Sequence, residues 1–313
     1  MTNASTTDAE HPGAPRPPAG VGRVVTAMIT PFTVEGALDL DGAQVVADHL
    51  VASGTQTVLI NGTTGESPTL HGEEPFELLR AVKQTVAGRA TVMMGTGSND
   101  TAKTVAATER ATREGADAIL VVTPYYNRPD QRGLLAHFRA AAAATDRPVV
   151  LYDIPSRSAR EIDVATLVEL ASVANIVGVK DATGDVAKTT DVLVSTANAG
   201  LGFDVWSGTD EVNLPLIAVG AVGVVSVAAH LVGPEIAAMI DIFPTDPTRA
   251  RALHHACLPV HRALFAEPSP APLKGAMNAQ GLPAGPVRLP LVDASPEAVD
   301  ALLAALKPVE AAR

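Results

Sequence analysis

Cysteine, aromatic residues and positive charge are all scarce in this sequence, and each scarcity argues against a class of protein. Cys257 is the single cysteine among 313 residues, which excludes a disulfide framework within the chain and argues against a cysteine-based metal site. Lys and Arg total 23 against 34 Asp and Glu, so the net charge is −11. One Trp, three Tyr and six Phe leave few rings for base stacking. We therefore expect no nucleic-acid partner.

Long apolar runs and cofactor motifs are missing as well. No run approaches the roughly 18 apolar residues of a membrane span, and the N-terminus lacks the basic-then-apolar pattern of a secretion signal. Together with the lone cysteine, this favours a cytoplasmic protein that does not associate with membranes. "GTGSND" lacks the third glycine of a dinucleotide fingerprint, "GTTGES" lacks the lysine of a P-loop, and the histidines show no metal-ligand spacing. Neither a cofactor nor a metal is expected.

A series of short apolar runs, separated by helix-like segments, dominates the chain. The runs are continuously apolar rather than alternating, which is typical of strands covered on both faces. Strands that alternate with helices indicate parallel β–α–β units. The eight runs span residues 23–29, 57–61, 91–95, 118–122, 148–152, 176–180, 203–207 and 223–227.

The number and order of these runs predict an α/β fold, a (β/α)₈ TIM barrel, over residues 22–234. A doubly wound open sheet is the rival architecture. Residues 235–313 contain helical stretches with Pro-rich links and are expected to form a small C-terminal helical region. Residues 1–21 are rich in Pro, Thr and Ala without a hydrophobic period, and we expect a disordered tail there.

Polar residues gather at the predicted C-terminal ends of the strands, where (β/α)₈ barrels place their active sites. Lys180 ends the apolar run "IVGVK". It either reaches solvent or pairs with Asp181, or it is desolvated so that its pKa falls and its neutral amine can attack a ketone. The other polar segments are "NGTTGES" (61–67), "TPYYNRP" (123–129), "DIPSR" (153–157) and "SGTDE" (207–211).

Four further residues at these ends have both a structural and a functional interpretation, and a fifth, Glu66, has only a structural one. Tyr152 is either a core tyrosine or a proton relay. Thr63 and Thr64, flanked by glycines, form either an ordinary turn or a loop that binds a carboxylate. Arg157 is either a surface ion-pair partner or a fork for a second carboxylate. Glu66 is expected to cap a helix and has no predicted catalytic role.

Five motifs at these strand ends, in this order, carry a resemblance to a known family. "GTTGES", "TPYYNRP", "LYDIPSR", "GVKDATGD" and "GVVSV" resemble the dihydrodipicolinate synthases, within the class I pyruvate aldolases and lyases. The similarity runs from about Val24 into the C-terminal region, including "LFAEPSPAPLKGAMNAQG". The resemblance implies condensation of pyruvate with L-aspartate 4-semialdehyde in lysine and diaminopimelate biosynthesis.

The same resemblance implies a set of catalytic residues. Lys180 matches the lysine that forms a Schiff base with pyruvate, and Tyr152 matches the catalytic tyrosine. Thr64 matches the threonine that passes protons between this tyrosine and a second one. That second tyrosine falls on Tyr126, and the family supplies it from a neighbouring subunit. Members are usually homotetramers built as dimers of dimers.

Substrate-binding positions are implied in the same way. Thr63 and Thr64 match the residues that hold the pyruvate carboxylate, and Arg157 matches the residue that receives the carboxylate of the semialdehyde. Gly208 and Val225 match positions whose backbone carbonyls line the pocket. Two alternatives stay open: a sibling Schiff-base enzyme of the N-acetylneuraminate lyase or 2-keto-3-deoxygluconate aldolase type, and a catalytically silent regulator or binding protein.

The segments that match the lysine-binding site of feedback-inhibited members depart from the family pattern. An acidic residue that holds the lysine ammonium there aligns with Lys103, and the histidine positions align with Gly72 and Pro75. Asn99 and Tyr125 do match positions of that site. A cation in place of an anion repels the ligand, at a cost of about 1 kcal/mol even in high dielectric.

We therefore predict that activity is insensitive to lysine at millimolar concentration. The measurements are turnover and melting temperature with and without lysine, with arginine as a control for nonspecific effects of a cationic amino acid. Inhibition by lysine below millimolar concentration would mean that other residues, such as His71, have rebuilt the site.

Overall fold

Eight parallel strands close into a barrel in sequence order, with β1 paired to both β2 and β8. The structure is a computed structural model that describes residues 20–310. It confirms the predicted (β/α)₈ barrel over the doubly wound sheet. The strands are β1 (Val24–Ala27), β2 (Thr57–Ile60), β3 (Thr91–Gly95), β4 (Ala118–Val122), β5 (Val149–Asp153), β6 (Ile176–Asp181), β7 (Asp204–Ser207) and β8 (Gly223–Ser226).

Helices surround the barrel and begin and end with the expected capping chemistry. Asp39, Asp100 and Asp185 each accept backbone N–H groups at a helix start. Gly115 and Gly220 follow helix ends with φ of +92° and +115°. The helices are α1 (Leu40–Ala52), α2 (Glu74–Val86), α3 (Thr101–Arg113), α4 (Gln131–Ala143), α5 (Pro155–Ser158), α6 (Val164–Leu170), α7 (Val186–Asn198), α8 (Asn213–Ala218), α9 (Ala229–Ile242), α10 (Pro247–Ala263), α11 (Ala271–Ala279) and α12 (Pro296–Glu310).

The strands bury both faces, as their apolar sequences predict. One apolar cluster lies between strands and helices, and a second fills the barrel interior. Trp206 is fully buried in the interior, and its indole N–H donates to the Gly22 carbonyl at 3.0 Å. Val21 is also buried there, so the ordered fold begins before the predicted end of the tail. The rest of that tail, residues 1–19, lies outside the described residues.

The C-terminal helices pack on the barrel through α9, which contacts α10 and α12. The boundary expected between residues 234 and 235 falls inside α9, close to its interruption at Val232 (φ −127°). The division into a barrel and a separate C-terminal region therefore stays a prediction. Among the described helices, none combines the length and apolar character needed to cross a membrane.

A buried ion pair joins the C-terminal region to the loop that follows β2. Lys274 donates to the Glu66 carboxylate at 2.9 Å and to the carbonyls of Thr30 and Pro286 at 2.9 and 2.5 Å. The other Glu66 oxygen accepts the Arg288 backbone N–H at 2.9 Å. The predicted capping role of Glu66 is wrong, because its carboxylate makes no cap bond to the helical turn that it precedes. Removing one partner of such a pair costs about 3–5 kcal/mol.

Candidate active site

Lys180 is the penultimate residue of β6, and its side chain lies inside the barrel mouth. The side chain is 5% exposed, and Nζ lies 4.0 Å from the centroid of the Tyr152 ring. Burial lowers the pKa of Lys180 from 10.5 to about 7; Asp210 opposes this shift and Arg157 adds to it. A large share of the amine is therefore neutral near pH 7, which is the state needed for attack on a carbonyl carbon.

Side chains along β5 and β6 point alternately into the barrel and out toward the helices. Tyr152 and Lys180 are register partners, and so are Asp153 and Asp181. Consecutive strand residues point to opposite faces, so Asp181 does not pair with Lys180. Instead, its carboxylate accepts hydrogen bonds from the side chains of Thr183 and Thr189. The solvent and Asp181-pair interpretations of Lys180 are both excluded.

Asp153 anchors the same strand end on its outer side. It pairs with Lys188 at 2.6 Å, and Lys188 also contacts Glu161 at 2.7 Å. Burial raises the pKa of Asp153 to about 6, while Lys188 opposes the shift. Lys188 lies on α7, so its ion pair with Asp153 joins α7 to the end of β5. This connection holds the neighbouring Tyr152 in position.

Tyr152 is buried beside Lys180, and its phenol stays protonated. Burial raises its pKa well above the ordinary value, while Arg157 and the Thr63 side chain partly oppose that shift. Of the two threonines, Thr63 is the one that affects the Tyr152 phenol, and the relay role that the resemblance gives to Thr64 stays a prediction. Thr64 is buried in the same loop and faces the same cavity.

A cavity of about 250 Å³ lies at the barrel mouth and unites most of the predicted residues. Val225 is buried inside the barrel on β8, and its side chain is not part of the cavity wall, so the role of its carbonyl stays a prediction. The predicted residues in the wall are Thr63, Thr64, Tyr152, Arg157, Lys180 and Gly208.

Position 208 must be glycine because it lies close to the Lys180 side chain. A Cβ at this position would lie 3.0 Å from Lys180 Cγ and 2.9 Å from Ala182 Cβ. The Gly208 backbone N–H donates to the Asp181 carbonyl at 2.7 Å, which ties β7 to β6. Any larger residue would press on the Lys180 side chain and restrict its movement.

Asp210, Glu211, His261 and Ser269 also line the cavity, but sequence reasoning gave them no role. Asp210 is buried and accepts from the Asn213 amide and from the backbone N–H groups of residues 227 and 228. Its position in "SGTDE" after β7 was the available signal. Within residues 20–310, no cluster of three or more His, Cys, Asp or Glu side chains could hold a metal ion.

Tyr126 stands apart from this cavity. Its side chain is 91% exposed, and its φ of +73° places the backbone in the left-handed region. A non-glycine residue there is uncommon and costs conformational energy. The predicted link of Tyr126 to Tyr152 is not formed within the chain, which leaves the expected crossing between subunits as a prediction.

The fold and this site together define a lyase of the class I aldolase type. A model of the dihydrodipicolinate synthetase family matches residues 20–309. The 4-hydroxy-tetrahydrodipicolinate synthase of Moorella thermoacetica is 48% identical over 91% of this chain and 97% of that protein. Synthase 2 of Streptomyces coelicolor is 49% identical over 91% of this chain and 94% of its own. The chain therefore belongs to the dihydrodipicolinate synthetase family.

Solved structures agree with this assignment. The crystal structure of a dihydrodipicolinate synthase from Bacillus anthracis superposes with a TM-score of 0.88 at 42% identity, covering 91% of this chain and 97% of that one. The enzyme from Cyanidioschyzon merolae, crystallised with lysine bound, gives a TM-score of 0.90 at 40% identity, covering 93% and 99%.

The lowered pKa of Lys180 predicts a specific pH dependence for imine formation. The rate of pyruvate trapping by borohydride should rise between about pH 6 and pH 8 and then level off, because only the neutral amine attacks. Arg157→Met removes a cation that lowers this pKa, so its midpoint should move to higher pH. A rate that keeps rising toward pH 10 would mean that Lys180 titrates as an ordinary lysine.

Proposed function

We propose that this chain condenses pyruvate with L-aspartate 4-semialdehyde, the reaction of 4-hydroxy-tetrahydrodipicolinate synthases, as a cytoplasmic enzyme of lysine and diaminopimelate biosynthesis. The observation that carries the proposal is Lys180, buried at the end of β6 over the Tyr152 ring with its pKa lowered to about 7. Membership of the family that contains 4-hydroxy-tetrahydrodipicolinate synthases implies the two substrates.

The first half of the reaction uses the neutral amine of Lys180. The amine attacks the ketone carbon of pyruvate, and loss of water leaves a protonated imine. This imine withdraws electrons, so the adjacent methyl group loses a proton and an enamine forms. Its carbon then attacks the aldehyde carbon of the second substrate. Transimination by the substrate amine releases Lys180 as the ring closes.

The protons of these steps pass through Tyr152. Its raised pKa keeps the phenol protonated, so it can donate a proton and recover it within one cycle. The effect of the Thr63 side chain on the pKa of Tyr152 supports Thr63, rather than Thr64, as the relay threonine. We assign Thr64 to the pyruvate carboxylate, together with the backbone of the Gly62–Gly65 loop.

Arg157 is assigned to the carboxylate of the second substrate. It lies on α5, directly after the strand that carries Tyr152, and it lines the cavity with Lys180. Its guanidinium can bind a carboxylate with two parallel hydrogen bonds. The same positive charge helps to lower the pKa values of Lys180 and Tyr152. The carbonyls of Gly208 and Val225 complete the proposed pyruvate pocket.

Association between copies of this chain is proposed to contribute to catalysis, because it would bring Tyr126 to a neighbouring site. An aromatic ring that is 91% exposed on a left-handed backbone has little to pack against in its own chain. Insertion into the cavity of a neighbouring copy would bury this ring and complete the relay from Tyr152 through Thr63. We propose a homotetramer made of two such dimers.

Covalent trapping tests this function directly. Pyruvate and borohydride should add one stable adduct per chain, located on Lys180, and the protein should turn over pyruvate with the semialdehyde. Lys180→Ala should lose the adduct and reduce turnover on the order of a thousandfold or more. The exposed Lys103→Ala serves as a matched control and should keep both. An adduct on another lysine, or preferred turnover of N-acetylneuraminate or ketodeoxygluconate, would contradict the proposal.

Subunit mixing tests the role of Tyr126. Tyr126→Phe chains and Lys180→Ala chains should each be nearly inactive alone. After subunit exchange, a hybrid dimer holds one site with both groups, so about a quarter of wild-type activity should return. If exchange is confirmed by mass and no activity returns, Tyr126 does not complete a neighbour's site.

A further inference from the structure

His261 is a buried histidine in the wall of the active-site cavity that the proposed mechanism leaves unused. It lies on α10, is 2% exposed and lines the cavity together with Lys180 and Arg157. Neither of its ring nitrogens has a hydrogen-bond partner within the described residues. Buried polar atoms are nearly always paired, so each unpaired one requires an explanation.

His230 shows what a structural histidine looks like in the same protein. It is equally buried, but its Nε2 accepts the Ile29 backbone N–H at 3.2 Å and its Nδ1 pairs with the Val227 carbonyl at 2.9 Å. Both of its ring nitrogens are therefore occupied by the fold. His261 differs in this respect, because the fold occupies neither of its ring nitrogens, and the residue lies in the wall of the cavity.

The charges around His261 favour a cationic group as its partner. Asp210 and Glu211 line the same cavity and make its potential more negative. The Asp210 carboxylate already accepts three hydrogen bonds, and Glu211 pairs with Arg262 at 3.1 Å. Burial lowers the pKa of His261, so the ring is neutral and keeps one nitrogen free to accept.

Two features of one cavity thus match the two charged groups of an amino acid. Arg157, on α5, supplies a cation for a carboxylate, and His261, on α10, supplies a neutral acceptor beside two acidic residues. Pyruvate has no ammonium group, so the acceptor fits only the second substrate of the proposed reaction.

We propose that His261 accepts a hydrogen bond from the α-ammonium group of the second substrate and thereby makes the site select an amino aldehyde acid over its desamino analogue. The inference rests on the proposed function. It makes His261 a specificity-determining residue that is supplied by the C-terminal helices rather than by the barrel strands.

The test compares L-aspartate 4-semialdehyde with succinate semialdehyde, which lacks only the amino group. In His261→Leu, the KM for the amino substrate should rise about tenfold or more, as is typical when a hydrogen bond to a charged group is lost. The inhibition constant of succinate semialdehyde and the KM for pyruvate should not change. His261→Gln, which keeps an acceptor, should recover part of the loss.

Two control variants make the result specific. Arg157→Ala should weaken the binding of both aldehydes, because both carry the carboxylate. His255 is exposed and lies outside the cavity wall, so His255→Gln should leave the binding of both aldehydes unchanged. If the His261 variants bound both aldehydes equally more weakly, or bound neither more weakly, the inference would be overturned but the proposed function would not. Absence of semialdehyde turnover in the wild type would overturn the proposed function and the inference with it.

Discussion

Exclusion of water from one amine is the constraint on which the rest of this structure depends. Lys180 can be neutral near pH 7 only if its surroundings solvate the ammonium poorly, and burial is the dominant cause of its lowered pKa. The barrel interior provides this environment, because apolar side chains and Trp206 fill the space below the mouth. Asp210 limits the shift, since its negative charge favours the protonated amine. The pKa is therefore set by opposing effects of burial and charge.

Much of this arrangement could be predicted from the sequence because a parallel barrel imposes simple rules. Strands covered on both faces must be apolar throughout, so the eight runs were visible without any tertiary information. Their C-terminal ends meet at one mouth, and this brings together Tyr152, Lys180 and Gly208 from three different strands or strand ends. The alternation of a strand then explains why Lys180 faces the cavity and Asp181 does not.

The parts that escaped prediction depend on contacts that no local pattern reveals. Thr63 and Thr64 are neighbours of the same type, and only the rotation of the loop decides which one reaches Tyr152. His261 lies on a helix whose apolar face gives no sign that one position borders a cavity. Glu66 could not be matched to Lys274, because pairing over 208 residues leaves no periodicity in the sequence.

That long-range pairing also bears on how the enzyme is made. The loop that carries Thr63 and Thr64 is joined through Glu66 to a lysine near the end of the chain. A ribosome completes the barrel strands before it releases Lys274, so the Glu66 carboxylate of a nascent chain cannot yet be buried with its partner. The loop that carries Thr63 and Thr64 can therefore reach its final packing only after the C-terminal region has been made.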